Sequence, residues 1–169
     1  MNPFRIKTGM LGAIAFVVLF SIGCNNDKTQ TNMKDENKTT LFPKGNKLSN
    51  DWFTGNAFLH LLLAKDKNNE FALGSVTFEP GARTHWHTHP KGQVLIVTEG
   101  EGFYQQKAKP AQALKKGDVV NIPENVEHWH GASANSQFVH IALTNYKGEE
   151  NVVWLQPVSD EEYNDVNEK

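Results

Sequence analysis

From Asp51 onward the chain is divided into short apolar or alternating runs that are separated by glycine, proline and asparagine. Runs of this length are typical of β-strands, and their regular spacing is typical of a sandwich or barrel. The breaks carry turn chemistry, as in Glu79-Pro80-Gly81 and Lys116-Gly117-Asp118. The pattern therefore predicts an all-β domain over residues 51–169. The predicted strands cover residues 57–63, 71–78, 84–89, 93–99, 102–106, 118–122, 126–130, 138–144 and 152–156.

One helix is predicted, close to the C-terminus. Ser159 is followed three residues later by Glu162, which is the spacing of a capping box, so we expect a helix over about residues 160–166. The chain has 169 residues, a length that suits one domain. Its net charge of -2 gives no electrostatic reason to expect a nucleic-acid partner, which would call for a basic patch, so we expect none.

Residues 1–23 have the features of an export signal rather than of a folded domain. Arg5 and Lys7 give a positively charged start, and the apolar run that follows is too short to span a bilayer comfortably. Gly23 then precedes Cys24, which is the one cysteine of the chain. A single cysteine excludes an intramolecular disulfide and a zinc site built from cysteines.

A small residue directly before a lone cysteine resembles the lipobox of bacterial lipoproteins. The resemblance implies that residues 1–23 are a lipoprotein signal peptide and that Cys24 is acylated, which would anchor an exported chain to a membrane. Asn25 follows the cysteine, and similarity to the enterobacterial sorting rule then implies a periplasmic or cell-surface protein of the outer membrane. The alternatives are an ordinary signal peptide and an uncleaved anchor.

Residues 24–50 are rich in asparagine, lysine and threonine and carry few large apolar side chains. Such a segment cannot bury enough surface to offset the entropy that ordering costs. We therefore predict a flexible tether over residues 24–50, between the anchor and the domain.

Two histidine clusters lie within the predicted strands, in residues 84–89 and 127–130. Alternate residues of a strand point to the same face of a sheet. His87 and His89 can therefore reach one ion from one side, and His85 shares their parity. His128 and His130 share a face in the same way.

These clusters belong to two longer motifs. Residues 81–100 resemble the first cupin motif, and residues 117–128 resemble the second. The cupin family has an antiparallel jelly-roll barrel with a metal in its mouth and often forms oligomers. The resemblance therefore implies a jelly-roll β-barrel with a divalent metal, a small-molecule substrate and a homodimer or higher homo-oligomer.

The sequence departs from these motifs at two positions. Gln93 stands where cupins usually have glutamate, and Asn125 stands where they usually have a second glycine. Asn125 is expected to do little damage, because asparagine tolerates a positive φ. Gln93 is neutral, so three imidazoles and an amide oxygen would leave the charge of the ion uncompensated, which favours Lewis-acid chemistry over redox chemistry. The alternative is a decayed site that binds no metal.

A closer resemblance extends beyond the two motifs. The amino-acid sequence is similar to those of the small cupins that include manganese-dependent bacterial hydroxynitrile lyases, in residues 51–55, 75–84, 128–132 and 158–163. The resemblance implies manganese, with iron, nickel, cobalt and zinc left open because affinity order and cellular supply both decide occupancy. The metal ligands that it implies are His87, His89, Gln93 and His128.

The same resemblance assigns roles to other residues. His140 matches the base that removes the hydroxyl proton as cyanide leaves, and it lies in a largely apolar predicted strand. We expect His130 and Thr84 to orient the substrate and His85 to add an imidazole to its site. The predicted function is lyase chemistry on a small hydroxy or carbonyl compound; the alternatives are an iron-dependent dioxygenase and a non-catalytic binding module at the cell surface.

Overall fold

The computed structural model describes residues 40–168. These residues form twelve β-strands and one C-terminal α-helix, which confirms the prediction of an all-β fold with a short helix at its end. The elements are β1 (Asn46–Lys47), β2 (Phe53–Thr54), β3 (Ala57–Leu63), β4 (Phe71–Phe78), β5 (Arg83–Thr84), β6 (His87–Thr88), β7 (Gln93–Gln106), β8 (Gln112–Lys115), β9 (Val119–Ile122), β10 (His128–Ala132), β11 (Phe138–Asn145), β12 (Val153–Trp154) and α1 (Asp160–Asn167).

One curled sheet runs through the domain in the order β1-β3-β4-β11-β7-β10-β5-β2. The long strand β7 joins its two halves, because residues 93–96 pair with β9 and residues 101–104 pair with β8. Gly100 lies between these halves with a φ of 70°, a conformation that glycine adopts without strain. Residues 93–99 and 102–106, predicted as two strands, are therefore one strand that continues through the glycine.

The sheet has β1 at one edge and β2 at the other, so residues 48–52 connect the two edges. Asn46 and Lys47 pair with β3, and Leu48 packs against the core. This differs from the predicted boundary, which placed residues up to 50 in a flexible tether. The folded domain begins before residue 51, because Leu48 supplies apolar surface and the short strand β1 adds ladder bonds to the edge of β3.

The domain has two apolar clusters. The larger one fills the barrel and includes Phe78, Leu95 and Phe138. The smaller one lies beneath α1 and is built on Trp86 and Trp129.

The helix α1 covers the smaller cluster and begins at the predicted capping box. The Ser159 hydroxyl accepts a hydrogen bond from the Glu162 backbone, and the Glu162 carboxylate accepts one from the Ser159 backbone. Arg83 fastens the helix to the sheet through the Val158 carbonyl and the Asp160 carboxylate.

The predicted export signal, the acylated Cys24 and residues 24–39 of the tether lie outside the described residues. Within residues 40–168, no helix combines the length and apolar character needed to cross a membrane.

Candidate metal centre

Four side chains converge where β6, β7 and β10 begin. His87 lies on β6, His89 in the turn after it, Gln93 at the start of β7 and His128 at the start of β10, and all four are buried. The ring centroids of His87 and His128 are 4.2 Å apart, and those of His87 and His89 are 5.0 Å apart. The pairing of His128 with His87 across the β10–β6 ladder fixes the first of these contacts. The predicted ligand residues are therefore brought together.

The imidazoles of this cluster are all held by backbone carbonyl groups. A carbonyl oxygen only accepts, so each Nδ1 carries the hydrogen and each Nε2 presents a lone pair. Metal-bound histidines are usually oriented by such a bond from their other ring nitrogen. The acceptors are the carbonyl oxygens of His85 for His87, of Asn151 for His89 and of Val126 for His128.

Three of the four atoms that would face an ion are buried without a hydrogen-bond partner. His89 Nε2, His128 Nε2 and Gln93 Oε1 are all buried and unpartnered. The Gln93 amide nitrogen donates to Thr144 Oγ1 at 2.9 Å, which leaves the amide oxygen free. Buried lone pairs without a donor are costly, and a divalent cation bound beside these atoms would provide the missing partner. The residues therefore fit a metal ion.

The protonation of the cluster also suits a metal. Burial, reinforced by the neighbouring imidazoles, holds the pKa of His87 well below its usual range. Burial lowers the pKa of His128 to about 4 and also lowers the pKa of His89. All three imidazoles are thus neutral at neutral pH, and only the neutral form can ligate.

His130 lies closer to this cluster than the sequence indicated. Ligand atoms of His87, His128 and His130 are all within 4.8 Å of one another. His130 Nδ1, however, lies 3.3 Å from His140 Nε2, so one of its ring nitrogens is engaged away from the cluster. His130 therefore borders the proposed ion and connects it to His140.

A cavity of about 450 Å³ opens beside the cluster. Its polar groups include the predicted residues Thr84, His130 and His140, and Thr84 Oγ1 accepts a hydrogen bond from the His130 backbone. Most of the remaining wall is apolar, so the cavity suits a small molecule with an oxygen at one end and an apolar body. The apolar lining includes Leu48, Phe53, Leu59, Leu61, Leu73, Val76 and Trp154.

His85 is not among the residues that line this cavity, in contrast to the prediction that it joins the substrate site. The predicted strand 84–89 is broken between Thr84 and His87, so the alternation that gave His85 the parity of His87 does not hold. Trp86 in the break packs beneath α1. Burial and the charge of Arg83 lower the pKa of His85.

His140, the predicted base, is fully buried in the barrel. Its ring packs against Phe78 and Phe138, and its Nδ1 has no hydrogen-bond partner. Burial lowers the pKa of His140 to about 3, so the side chain is neutral at any ordinary working pH.

Sequence reasoning missed three residues that support the cluster. Thr144 accepts from the Gln93 amide, and the Asn151 carbonyl accepts from His89. The Trp154 ring lies 4.9 Å from that of His87, and β12 pairs Trp154 with His87 directly. No local spacing could have identified these contacts, because each joins residues that are far apart in the chain.

Comparison with known proteins places this chain in one family. Residues 74–143 match the family described as Cupin domain. The chain is 42% identical over 113 residues to the (R)-mandelonitrile lyase of Granulicella tundricola, a match that spans 67% of this chain and 86% of the relative. This chain therefore belongs to the cupin family.

Solved structures agree with this assignment. A cupin-like protein from Thermotoga maritima superposes with a TM-score of 0.73 at 49% identity, over 77% of this chain and 98% of that one. A DMSP lyase from Ruegeria pomeroyi superposes with a TM-score of 0.52 at 21% identity, over 71% of this chain and 61% of that one. At that identity, the second likeness supports the fold alone.

Proposed function

We propose that this cupin is a metal-dependent lyase that cleaves cyanohydrins or related small hydroxy compounds into a carbonyl compound and a leaving anion. The observation that carries the proposal is the placement of the unpartnered ligand atoms of His89, Gln93 and His128 beside a cavity that also contains the neutral imidazole of His140. Similarity to a relative named (R)-mandelonitrile lyase supports the same chemistry.

The metal would be held by His87, His89, Gln93 and His128. We expect manganese, on the resemblance to manganese-dependent cupins. When bound to four neutral ligands, a divalent ion supplies Lewis acidity that lowers the pKa of a substrate hydroxyl. The apolar lining of the cavity would exclude water from the bond that breaks, and Thr84 and His130 would orient the polar end of the substrate.

His140 would move the proton. The hydroxyl proton passes to Nδ1 of His140, the carbon–oxygen double bond forms, and the bond to the nitrile carbon breaks with its electron pair on the departing cyanide. Cyanide is a stronger base than the buried imidazole, so it takes the proton from His140 and leaves as hydrogen cyanide. The histidine is thereby returned to the neutral state that burial favours.

The experiment that tests this proposal is metal analysis of the purified protein followed by a mandelonitrile cleavage assay. We expect about one divalent ion per chain and release of benzaldehyde that a chelator abolishes and added Mn²⁺ restores. Full cleavage by metal-free protein, or no cleavage by metal-loaded protein, would contradict the proposal.

We also propose that the chain is exported and anchored to the outer membrane through a lipid on Cys24, on the support of the lipobox-like sequence. Replacement of Cys24 by serine should abolish incorporation of radiolabelled palmitate and release the protein from the membrane fraction. Palmitate incorporation that persists in Cys24→Ser would contradict the anchor.

Finally, we propose that the protein is a homodimer or larger oligomer, in keeping with the family. Ile96 and Val119 are partners across the β7–β9 ladder, and both are exposed large apolar residues. An Ile96→Lys variant should therefore shift the molecular mass measured by light scattering towards that of a monomer, and an unchanged mass would exclude this face as the interface.

A further inference from the structure

Thr144 is the partner of Gln93 across the β11–β7 ladder. The Gln93 amide nitrogen donates to Thr144 Oγ1, while the Gln93 amide oxygen has no partner. Thr144 thus contacts the nitrogen end of the carboxamide and leaves the oxygen end free. It also lines the cavity beside the cluster.

The two ends of a carboxamide differ in what they can bind. The oxygen has lone pairs and can ligate a cation, whereas the NH₂ group only donates. With its oxygen directed to an ion, the amide leaves two N–H groups that need acceptors in a buried site. A buried donor without an acceptor destabilises the arrangement that leaves it unpaired.

The opposite orientation would defeat the site. An amide rotated by half a turn would present its NH₂ group to the ion and could donate instead to the lone pair of a neighbouring imidazole such as His89. In the orientation that binds metal, the NH₂ group lies on the far side of the amide and needs an acceptor there. The hydroxyl of Thr144 is placed to provide it.

We propose that Thr144 is a positioning residue for the metal centre: its hydroxyl group holds the Gln93 carboxamide with the oxygen towards the ion. This inference rests on the proposed metal site and concerns the binding of the ion rather than the lyase reaction. A support of this kind typically contributes a factor of about 10–100 to metal affinity.

The other role open to Thr144 is that of a wall residue that fills space. The two roles make opposite predictions for two substitutions. Thr144→Val keeps the shape and removes the hydroxyl, whereas Thr144→Ser keeps the hydroxyl and removes the methyl group. A positioning role requires the serine variant to bind metal well and the valine variant to bind it poorly, and a space-filling role requires the reverse.

A matched control is available on β7. The Thr98 hydroxyl donates to the backbone carbonyl of Val139, and Thr98 does not line the cavity. Thr98→Val therefore removes a hydroxyl of the same kind from a strand of the same sheet. It should change neither the metal affinity nor its enthalpy.

The test is calorimetric titration of the metal-free full chain with Mn²⁺, with circular dichroism to check folding. We expect the dissociation constant of Thr144→Val to rise about 10–100-fold and that of Thr144→Ser to stay within about threefold of the wild type. Should the valine variant fail to fold, Thr144→Ala takes its place in the comparison with serine.

Two results would overturn the inference while leaving the metal centre intact: wild-type affinity in Thr144→Val, or equal losses in the serine and valine variants. A wild-type chain that takes up no Mn²⁺ would overturn the metal centre and this inference together. If the wild-type chain binds Mn²⁺ normally but shows no lyase activity, only the proposed reaction would be overturned.

Discussion

Nε2 of His140 lies 3.3 Å from Nδ1 of His130 in the interior of the barrel. For His140 to act as a base through its unpartnered Nδ1, its Nε2 must carry the hydrogen and donate to His130. The neutral His130 then carries its own hydrogen on Nε2, which prevents that atom from ligating a metal. The contact thus gives a reason why His130 would border the proposed metal site without belonging to the proposed ligand set.

This relationship predicts that a substitution of His140 lowers the activity without affecting metal binding. His140→Ala should retain its metal and lose activity on mandelonitrile by a factor of about 10²–10⁴, the usual contribution of a general base. The measurements are metal content and kcat/KM. His60→Ala is the matched control, because His60 lies on β3 and does not line the cavity. Full activity in His140→Ala would contradict the assignment of His140 as the base.

The second prediction concerns the charge at position 93. Gln93→Glu places a carboxylate beside the ion, so metal affinity should rise about tenfold, the equivalent of roughly 1.4 kcal/mol. The same negative charge should weaken the Lewis acidity of the ion, and kcat should fall by at least about tenfold. Competition with a fluorescent chelator and steady-state kinetics measure the two effects. If kcat rises instead, the proposed benefit of a neutral ligand set is wrong.

The strands that sequence reasoning placed best are those with long alternation. Residues 57–63 and 71–78 match β3 and β4 residue for residue. Residues 112–115 were missed, because Leu114 is the one buried side chain of β8 and gives no periodic signal. The extended strand predicted over residues 84–89 was wrong, since the packing of Trp86 beneath α1 interrupts it.

The candidate site also contains residues that the sequence indicates and residues that it does not. The histidine spacing that predicts His87, His89 and His128 is local to each strand, so the sequence displays it. Thr144 and Asn151 lie 51 and 62 positions from the ligands that they hold, and only the folded sheet brings them together. The sequence therefore indicates the candidate ligands but not the residues that hold them in place.

The third prediction concerns the stability of the metal-free protein at acid pH. Burial lowers the pKa of His140 to about 3 and that of His128 to about 4, from 6.5. Below pH 6.5 the unfolded chain binds protons that the folded chain does not, so the free energy of unfolding must fall as the pH falls. Each histidine should contribute up to about 1.4 kcal/mol per pH unit until its folded pKa is reached.

Urea unfolding in the presence of a chelator, between pH 7.5 and about pH 4, measures this dependence. The free energy of unfolding should become independent of these histidines above about pH 6.5, where they are neutral in both the folded and the unfolded chain. Below that pH, its dependence on pH should be weaker in His140→Phe. A free energy of unfolding that rises on acidification would contradict the assignment of buried neutral imidazoles.

The fourth prediction concerns the cap of α1. Ser159→Ala removes the side chain that accepts from the Glu162 backbone, which should cost about 1 kcal/mol. Thermal unfolding measures the loss, and Ser159→Asp should recover most of it because aspartate also caps well. Equal melting temperatures for the alanine variant and the wild type would show that the cap contributes nothing.

The last prediction tests where the folded domain begins. A chain that starts at residue 51 lacks β1 and Leu48, which pack on the edge of β3 and against the core. Leu48 is partly buried, so we expect a loss of about 1–2 kcal/mol relative to a chain that starts at residue 40. This corresponds to a melting temperature lower by roughly 4–10 °C.

Leu48→Ala in the longer chain separates the side chain from the strand. If the apolar contact dominates, that variant should account for most of the loss, because the edge pairing of Asn46 and Lys47 is retained. Leu48 also lines the cavity, so the shorter chain should bind an apolar substrate analogue more weakly. Identical melting curves for the chains that start at residues 40 and 51 would show that residues 40–50 do not stabilise the domain, in agreement with the predicted tether.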